Sequence, residues 1–461
     1  MDPRMGAFDA VMFGVEDDPV LRSFITVLIE TDSPPDPERL RYRVERLTRL
    51  VPKMRQHVVG NPFSLVPPRW ETERDFSLDY HFRVLALPDG TLDDLLGQLS
   101  NWAAQDFDRA RPLWEMIYFT GLRGDRGAVA VKIHHAITDG VGGMHLAAAL
   151  LDLAPDVADP EDMPEPPTPS FAGWRDRLEQ GSAFEASSLL QSAVGATKLA
   201  LGAGRAAATD PGGSLLATQE FVASASRILA PAPVPLSPLM TGRSLAEWFA
   251  ALTFDLADLK AAGKAVGGTL NDAFMASVVG GLIKYHQIHG EVPDELRVNM
   301  PVNMRTAADA DEAGGNKWAP VRIPLPLNEP DPVKRIRQLH PILAQARNEP
   351  ALSVSDPVYK VLMTLPRPLT TRIAGGLMKG TDFAATNVPG PPFPVYIAGS
   401  RVTRLVSFAP KAGAALNIGL LSYNGRAEIG INIDAEAVPE PPELVRCFRE
   451  SFEEVIATAA D

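Results

Sequence analysis

Residues 127–153 constrain the fold of this chain more than any other stretch. Gly127 to His135 alternates as a strand, His134-His135-Ala136-Ile137-Thr138-Asp139-Gly140 turns out of it, and Val141 to Leu153 reads as a helix opened by small residues. A strand, a tight turn and a helix in that order argue for a mixed α/β domain. Side chains alternate along a strand, so Val129, Val131, Ile133 and His135 share one face and Ala130, Lys132 and His134 the other. The first face is apolar and expected to be buried. That puts His135 at the end of the buried face, as the candidate general base, since an imidazole titrates at about 6.5. His134 is expected to support the turn, and Gly140 suits a tight backbone turn. Asp139 either orients a histidine or serves as a structural ion-pair or cap residue, and its place just past the turn favours the structural role.

The rest of the chain narrows the chemistry. The 461 residues suffice for two or three domains. A formal net charge of -13 argues against nucleic acid as the main partner. The single cysteine, Cys447, excludes an internal disulfide and a Cys-based metal site, and it is expected to be a packed core thiol. Adjacent strand residues point opposite ways, so His134 and His135 make an awkward pair of metal ligands, and no metal is expected. There is no G-x-S-x-G elbow. The N-terminus lacks a basic region followed by an apolar one, and no apolar run of about 18 residues occurs. The chain reads as cytoplasmic, with at most peripheral contact with a membrane or lipid droplet.

Three segments follow from composition. Residues 1–153 form an N-terminal unit carrying the histidines. Residues 154–240 form a linker or crossover, Pro- and acid-rich to Pro169, then Ala-rich and expected to be helical from Phe171 to Ala208. Residues 241–461 form a C-terminal unit. In it, Thr269 to His286 reads as a helix capped by Thr269, and Asn424-Gly425 joins two strands as a hairpin.

The histidine stretch matches an HHxxxDG motif, and the flanking motifs choose among its carriers. Pro112-Leu113-Trp114 resembles a PLW motif, Asn271-Asp272 an ND motif, Asn299 to Arg305 a PVSxR segment with Asn303 in place of serine, and Asn387-Val388-Pro389-Gly390-Pro391 an NVPGP motif. In order and spacing the set resembles the bacterial wax ester synthase/diacylglycerol acyltransferase family of the CoA-dependent acyltransferase superfamily, from about Trp70 to the C-terminus. The resemblance implies two chloramphenicol-acetyltransferase-like domains, each a mixed sheet flanked by helices, with a substrate channel between them. It implies an O-acyltransferase that needs no cofactor beyond acyl-CoA as co-substrate, with a lipid hydroxyl as acceptor. Asp139 becomes structural with Arg305 as its partner, and Asn271 a candidate oxyanion donor. Pro112, Leu113, Trp114, Asp272, Asn387, Pro389 and Gly390 become candidate substrate-binding residues. Two alternatives stay open: a condensation-type enzyme using carrier-bound substrates, and a non-catalytic lipid-binding protein on the same scaffold.

Overall fold

The computed structural model describes residues 4–60, 67–138, 140–169, 234–303, 318–347 and 367–459. The first half contains α1 (Ala7–Val15), β1 (Phe24–Thr31), α2 (Pro37–Leu50), β2 (Gln56–Val59), β3 (Arg69–Thr72), α3 (Leu78–His81), β4 (Phe82–Ala86), α4 (Leu92–Ala103), β5 (Trp114–Leu122), β6 (Arg126–His134), α5 (Gly140–Leu150) and β7 (Leu151–Asp152). The second half contains β8 (Trp248–Asp255), α6 (Leu256–Ala265), α7 (Leu270–Ile288), β9 (Glu295–Asn303), β10 (Trp318–Pro326), α8 (Pro332–Arg347), α9 (Arg367–Met378), β11 (Phe383–Pro389), β12 (Tyr396–Ile397), β13 (Ser400–Phe408), β14 (Leu416–Tyr423), β15 (Arg426–Ile433) and α10 (Pro441–Ala457).

Local chemistry accounts for many of these boundaries. Asp36 caps α2 by accepting the N–H groups of Glu38 and Arg39, and Pro37 opens the first turn. Thr269 and Asp272 close a reciprocal capping box on α7. Asn424 and Gly425 both take positive φ, which a two-residue hairpin between β14 and β15 requires. Along α10, Leu444, Phe448, Phe452 and Val455 form a buried stripe against α7. Cys447 is buried there and its thiol is pushed up to about 11 by burial, so it is an inert core residue. Among the described residues no single helix is long and apolar enough to cross a membrane.

Two mixed sheets form the frame. The first runs β4-β5-β6-β1-β13-β12-β7 and the second β10-β9-β11-β14-β15-β8. Among the described residues, only β4 with β5, β9 with β11 and β11 with β14 pair in parallel. The sequence expectation of two units in chain order needs correction here, because β12 and β13 come from the C-terminal half and complete the N-terminal sheet. The second unit also begins before residue 241: the N–H groups of Leu236 and Ser237 both donate to Asp382 at 2.9 and 2.8 Å. Residues 155–165 lie along α2, where Asp159 pairs with Arg39 and Arg43. The Ala-rich stretch expected to be helical lies outside the described residues.

The expectation of one buried face on β6 is also corrected. Ala128, Ala130, Lys132 and His134 are as buried as Val129 and Ile133. The strand is interior to the first sheet, and both faces are covered. Leu40, Val44 and Leu47 of α2 join the cluster on one side, and Leu95, Leu99 and Trp102 of α4 with Phe249 of β8 cover the other. On that second side the two sheets meet. Phe249 stacks on Phe408 of β13 with ring centroids 4.2 Å apart, and Gly430 of β15 lies so close to β13 that a Cβ would fall 2.1 Å from the Ser407 carbonyl oxygen.

Candidate active site

Strand register assembles the site. On β6, His134 faces Phe24 of β1, and its N–H donates to the Leu113 carbonyl at 2.9 Å. Trp114 lies opposite Ile133. The Pro112-Leu113-Trp114 segment, some twenty residues upstream, is thereby brought beside the histidine pair. The next N–H, that of His135, donates to the Ser23 carbonyl at 2.9 Å, and the chain then turns, with the Ile137 N–H returning to the His134 carbonyl. Lys53 holds this turn by donating to the carbonyls of Ala136 and Ile137 at 3.0 and 3.4 Å.

The two imidazoles are in different situations. His134 is buried, and its Nδ1 accepts the Ala136 N–H at 2.9 Å. A ring nitrogen that accepts from an N–H carries no proton, so the proton sits on Nε2, which donates to the Glu16 carboxylate at 3.0 Å. Both nitrogens of His134 are therefore committed. Glu16 also accepts the Ser23 N–H at 2.8 Å and the Arg109 guanidinium at 3.2 Å. Phe13 and Phe24 pack against the ring with centroids 5.6 and 5.8 Å away. Glu16, Ser23 and Arg109 thus form a polar cradle for His134, while His135 sits half-buried in the turn beyond the strand.

Several of the residues expected to bind substrate are tied into the packed interior. Trp114 has no exposed surface and its indole Nε1–H donates to the Met54 carbonyl at 2.8 Å, which makes it a core anchor; Pro112 and Leu113 are buried with it. Asp272 is fully buried and accepts the Thr269 N–H, the Thr269 hydroxyl and His340 Nδ1 at 2.7, 2.8 and 2.8 Å. All three bonds fall on Oδ2, which caps α7, whereas Oδ1 is buried and has no hydrogen-bond partner among the described residues. Asn271 occupies the first turn of that helix, half-buried. Asn387 and Pro389 lie exposed at the end of β11. Gly390 follows where a Cβ would fall 2.3 Å from the Ser422 carbonyl oxygen, so only glycine fits. Val388, Leu421 and Tyr423 pack in the same core cluster as Ala136 and Ile137, which joins the end of β11 to the histidine turn. The Asn271-Asp272 pair heads α7, whose residues from Ala273 onward belong to the other large core. Gly140 opens α5, while Asp139 and Arg305 lie outside the described residues.

Glu16, Lys53 and Arg109 carried no signal strong enough to single them out. So too His81, whose fully buried ring stacks on Trp114 at 4.7 Å and whose Nδ1–H donates to the Trp114 carbonyl at 2.7 Å. Burial pushes His81 down to about 4, against an ordinary 6.5. The unfolded chain therefore takes up this proton first as pH falls. Stability is expected to drop as pH falls from about 6.5 to 4, by up to about 3 kcal/mol from this group, with no further loss from it below pH 4. Urea unfolding across that range checks this: the slope should be shallower in His81→Phe, and an unchanged slope would refute it.

A small solvent-open cleft lies between the sheets, walled by Phe24 and Thr26 on one side and Phe249 and Asn432 on the other. It borders the Phe24 neighbour of His134, and His135 is not among its walls.

Residues 5–274 match the wax ester synthase/diacylglycerol acyltransferase catalytic domain, and residues 314–455 match the C-terminal domain of the same family. A putative diacylglycerol O-acyltransferase of Mycobacterium tuberculosis strain H37Rv is 32% identical over 100% of this chain and 93% of its own length. The O-acyltransferase WSD of Acinetobacter baylyi is 28% identical over 85% of this chain and 84% of its own. Among solved structures, the wax ester synthase/diacylglycerol acyltransferase from Marinobacter aquaeolei VT8 shares the fold with a TM-score of 0.62 at 21% identity, covering 99% of this chain and 100% of that one. The first condensation domain of the calcium-dependent antibiotic synthetase shares it with a TM-score of 0.58 at 17% identity, covering 99% and 96%. The chain belongs to the wax ester synthase/diacylglycerol acyltransferase family and is, by that membership, an O-acyltransferase.

Proposed function

We propose that the protein moves a long-chain acyl group from acyl-CoA to the hydroxyl of diacylglycerol or a long-chain alcohol, giving triacylglycerol or wax ester. The observation that carries the assignment of the base is the state of the histidine pair. His134 Nδ1 accepts from the Ala136 N–H and its Nε2–H donates to Glu16, so His134 is committed to holding the turn, and the position of its neighbour in the HHxxxDG stretch supports His135 as the base. The names of the relatives, diacylglycerol O-acyltransferase and wax ester synthase, support transfer of an acyl group to a lipid acceptor.

In this reading His135 takes the acceptor's hydroxyl proton as its oxygen attacks the thioester carbonyl. The tetrahedral oxyanion collapses, the carbon–sulfur bond breaks, and the imidazolium returns the proton to the departing thiolate. No acyl-enzyme and no cofactor takes part. Asn271 is the candidate donor to the oxyanion. Bringing both substrates into one site supplies much of the rate gain. The enzyme works in the cytoplasm, in peripheral contact with the membrane or lipid droplet that holds its acceptor.

A thiol-release assay with long-chain acyl-CoA and a panel of fatty alcohols, monoacylglycerols and diacylglycerols tests the proposal. Release is expected with diacylglycerol, a fatty alcohol or both, with the matching ester recovered by lipid analysis. Turnover only with acyl groups on a carrier protein would point to the condensation-type alternative, and no turnover with any acceptor would point to a lipid-binding role.

A further inference from the structure

Lys132 lies two residues before His134 on the same face of β6, and it has no exposed surface. Burying an ammonium costs several kcal/mol unless its surroundings compensate. Here the compensation is specific. Nζ donates to the carbonyls of Trp102 and Gln105 at 3.2 and 3.1 Å. It also lies 5.2 Å from the indole centroid of Trp102 and 4.7 Å from the phenyl centroid of Phe107. The Glu115 carboxylate stands 3.9 Å away and is itself bonded to Trp102 Nε1 and Arg83 at 2.7 and 2.5 Å. The ammonium therefore fills the turn where α4 ends, where the last helical carbonyls need donors and a cation is favoured.

That turn leads directly to the cradle of His134. Phe107 packs edge-on against Phe24 at 4.7 Å, and Phe24 flanks the His134 ring. Two residues on, Arg109 reaches Glu16. The segment then enters Pro112-Leu113, whose Leu113 carbonyl accepts the His134 N–H. Other ties on this segment, Arg22 with Asp106 at 2.9 Å and Arg111 with Glu73 at 3.6 Å, involve part-exposed side chains and contribute little. Lys132 anchors it from the buried side, together with the Trp102 Nε1–Glu115 bond.

We propose that Lys132 is a positioning residue for acyl transfer, clamping the 102–107 turn so that Phe24, Arg109 and Glu16 hold the histidine pair in register. This rests on the acyltransferase reading above. With no exposed surface, Lys132 acts through the turn and touches neither substrate.

The test is Lys132→Met in the full chain, with Lys132→Arg and Phe107→Leu beside it. Methionine fills similar space without the charge, and Glu115 keeps Arg83 and Trp102, so no carboxylate is stranded. Two readouts are needed: steady-state CoA release, and the rate of trypsin cleavage at the Arg109–Ala110 bond, followed by mass spectrometry. A folded Lys132→Met is expected to lose about tenfold to a hundredfold in kcat, with KM for acyl-CoA within about threefold and faster cleavage after Arg109. Lys132→Arg should retain more kcat than the methionine variant. If Lys132→Met does not fold, Phe107→Leu, which weakens the same clamp from the turn, should give the same split. An unchanged kcat, a loss carried in KM, or a kcat loss without faster cleavage would overturn the clamp. A wild-type chain inactive with every acceptor would sink the acyltransferase reading alone, leaving the cleavage comparison to decide on the clamp.

Discussion

His135→Ala is expected to cut acyl-CoA turnover by about two to four orders of magnitude, the usual contribution of a positioned general base, while leaving the fold intact. His135 contributes its backbone N–H to the Ser23 carbonyl, and alanine retains that bond. The ring itself sits half-buried beyond the end of β6, so its removal opens little of the core. His134→Ala should behave differently. It removes the donor to buried Glu16 and the acceptor of the Ala136 N–H, so stability falls first and activity falls with it. Thermal melts run beside thiol release separate the two. If His135→Ala turned over within about tenfold of wild type with an acceptor present, the base would lie elsewhere.

Gly430→Ala is expected to be among the most destabilising single-atom additions in the chain. A Cβ there would meet the Ser407 carbonyl oxygen at 2.1 Å and the Ser407 carbonyl carbon at 2.9 Å. The obstacle is backbone in β13, held between β1 and β12, so it cannot swing aside as a side-chain tip would. The sheets must separate where Phe249 stacks on Phe408. Overpacking of this kind costs about 3 kcal/mol. Gly97→Ala is the control: it lies in α4 with nothing within 4 Å of an added Cβ, and should be neutral or stabilising by up to about 1 kcal/mol. Denaturant midpoints for the two variants decide this, and equal midpoints would contradict the close approach of the sheets.

The sequence was most legible where one local rule suffices. Alternation marked β6, the Thr269–Asp272 spacing marked the head of α7, and Asn424-Gly425 marked the hairpin, because propensity, pattern and turn chemistry agree at each. It was least legible where the partner is remote. Nothing local in Tyr396 to Phe408 says that these strands join the sheet of the other half. Glu16 is one acid among many until α1 carries it 118 residues back to His134. Lysine is among the residues least often fully buried, so Lys132 reads as the solvent side of β6 until α4 covers it. The motifs themselves divide on the same ground. Pro112-Leu113-Trp114 was legible as important, but its importance lies in bracing the histidine strand, and Asp272 closes a cap.

The central claim is direct transfer from thioester to lipid hydroxyl on His135. Its most direct test is the stoichiometry of wild-type enzyme given long-chain acyl-CoA, first alone and then with a diacylglycerol or fatty alcohol that supports turnover. Intact-protein mass spectrometry should find no acyl adduct before the acceptor is added, and each thiol released afterwards should be matched by one ester formed. A stable acyl-enzyme, or CoA release that outruns ester formation and persists without acceptor, would contradict it.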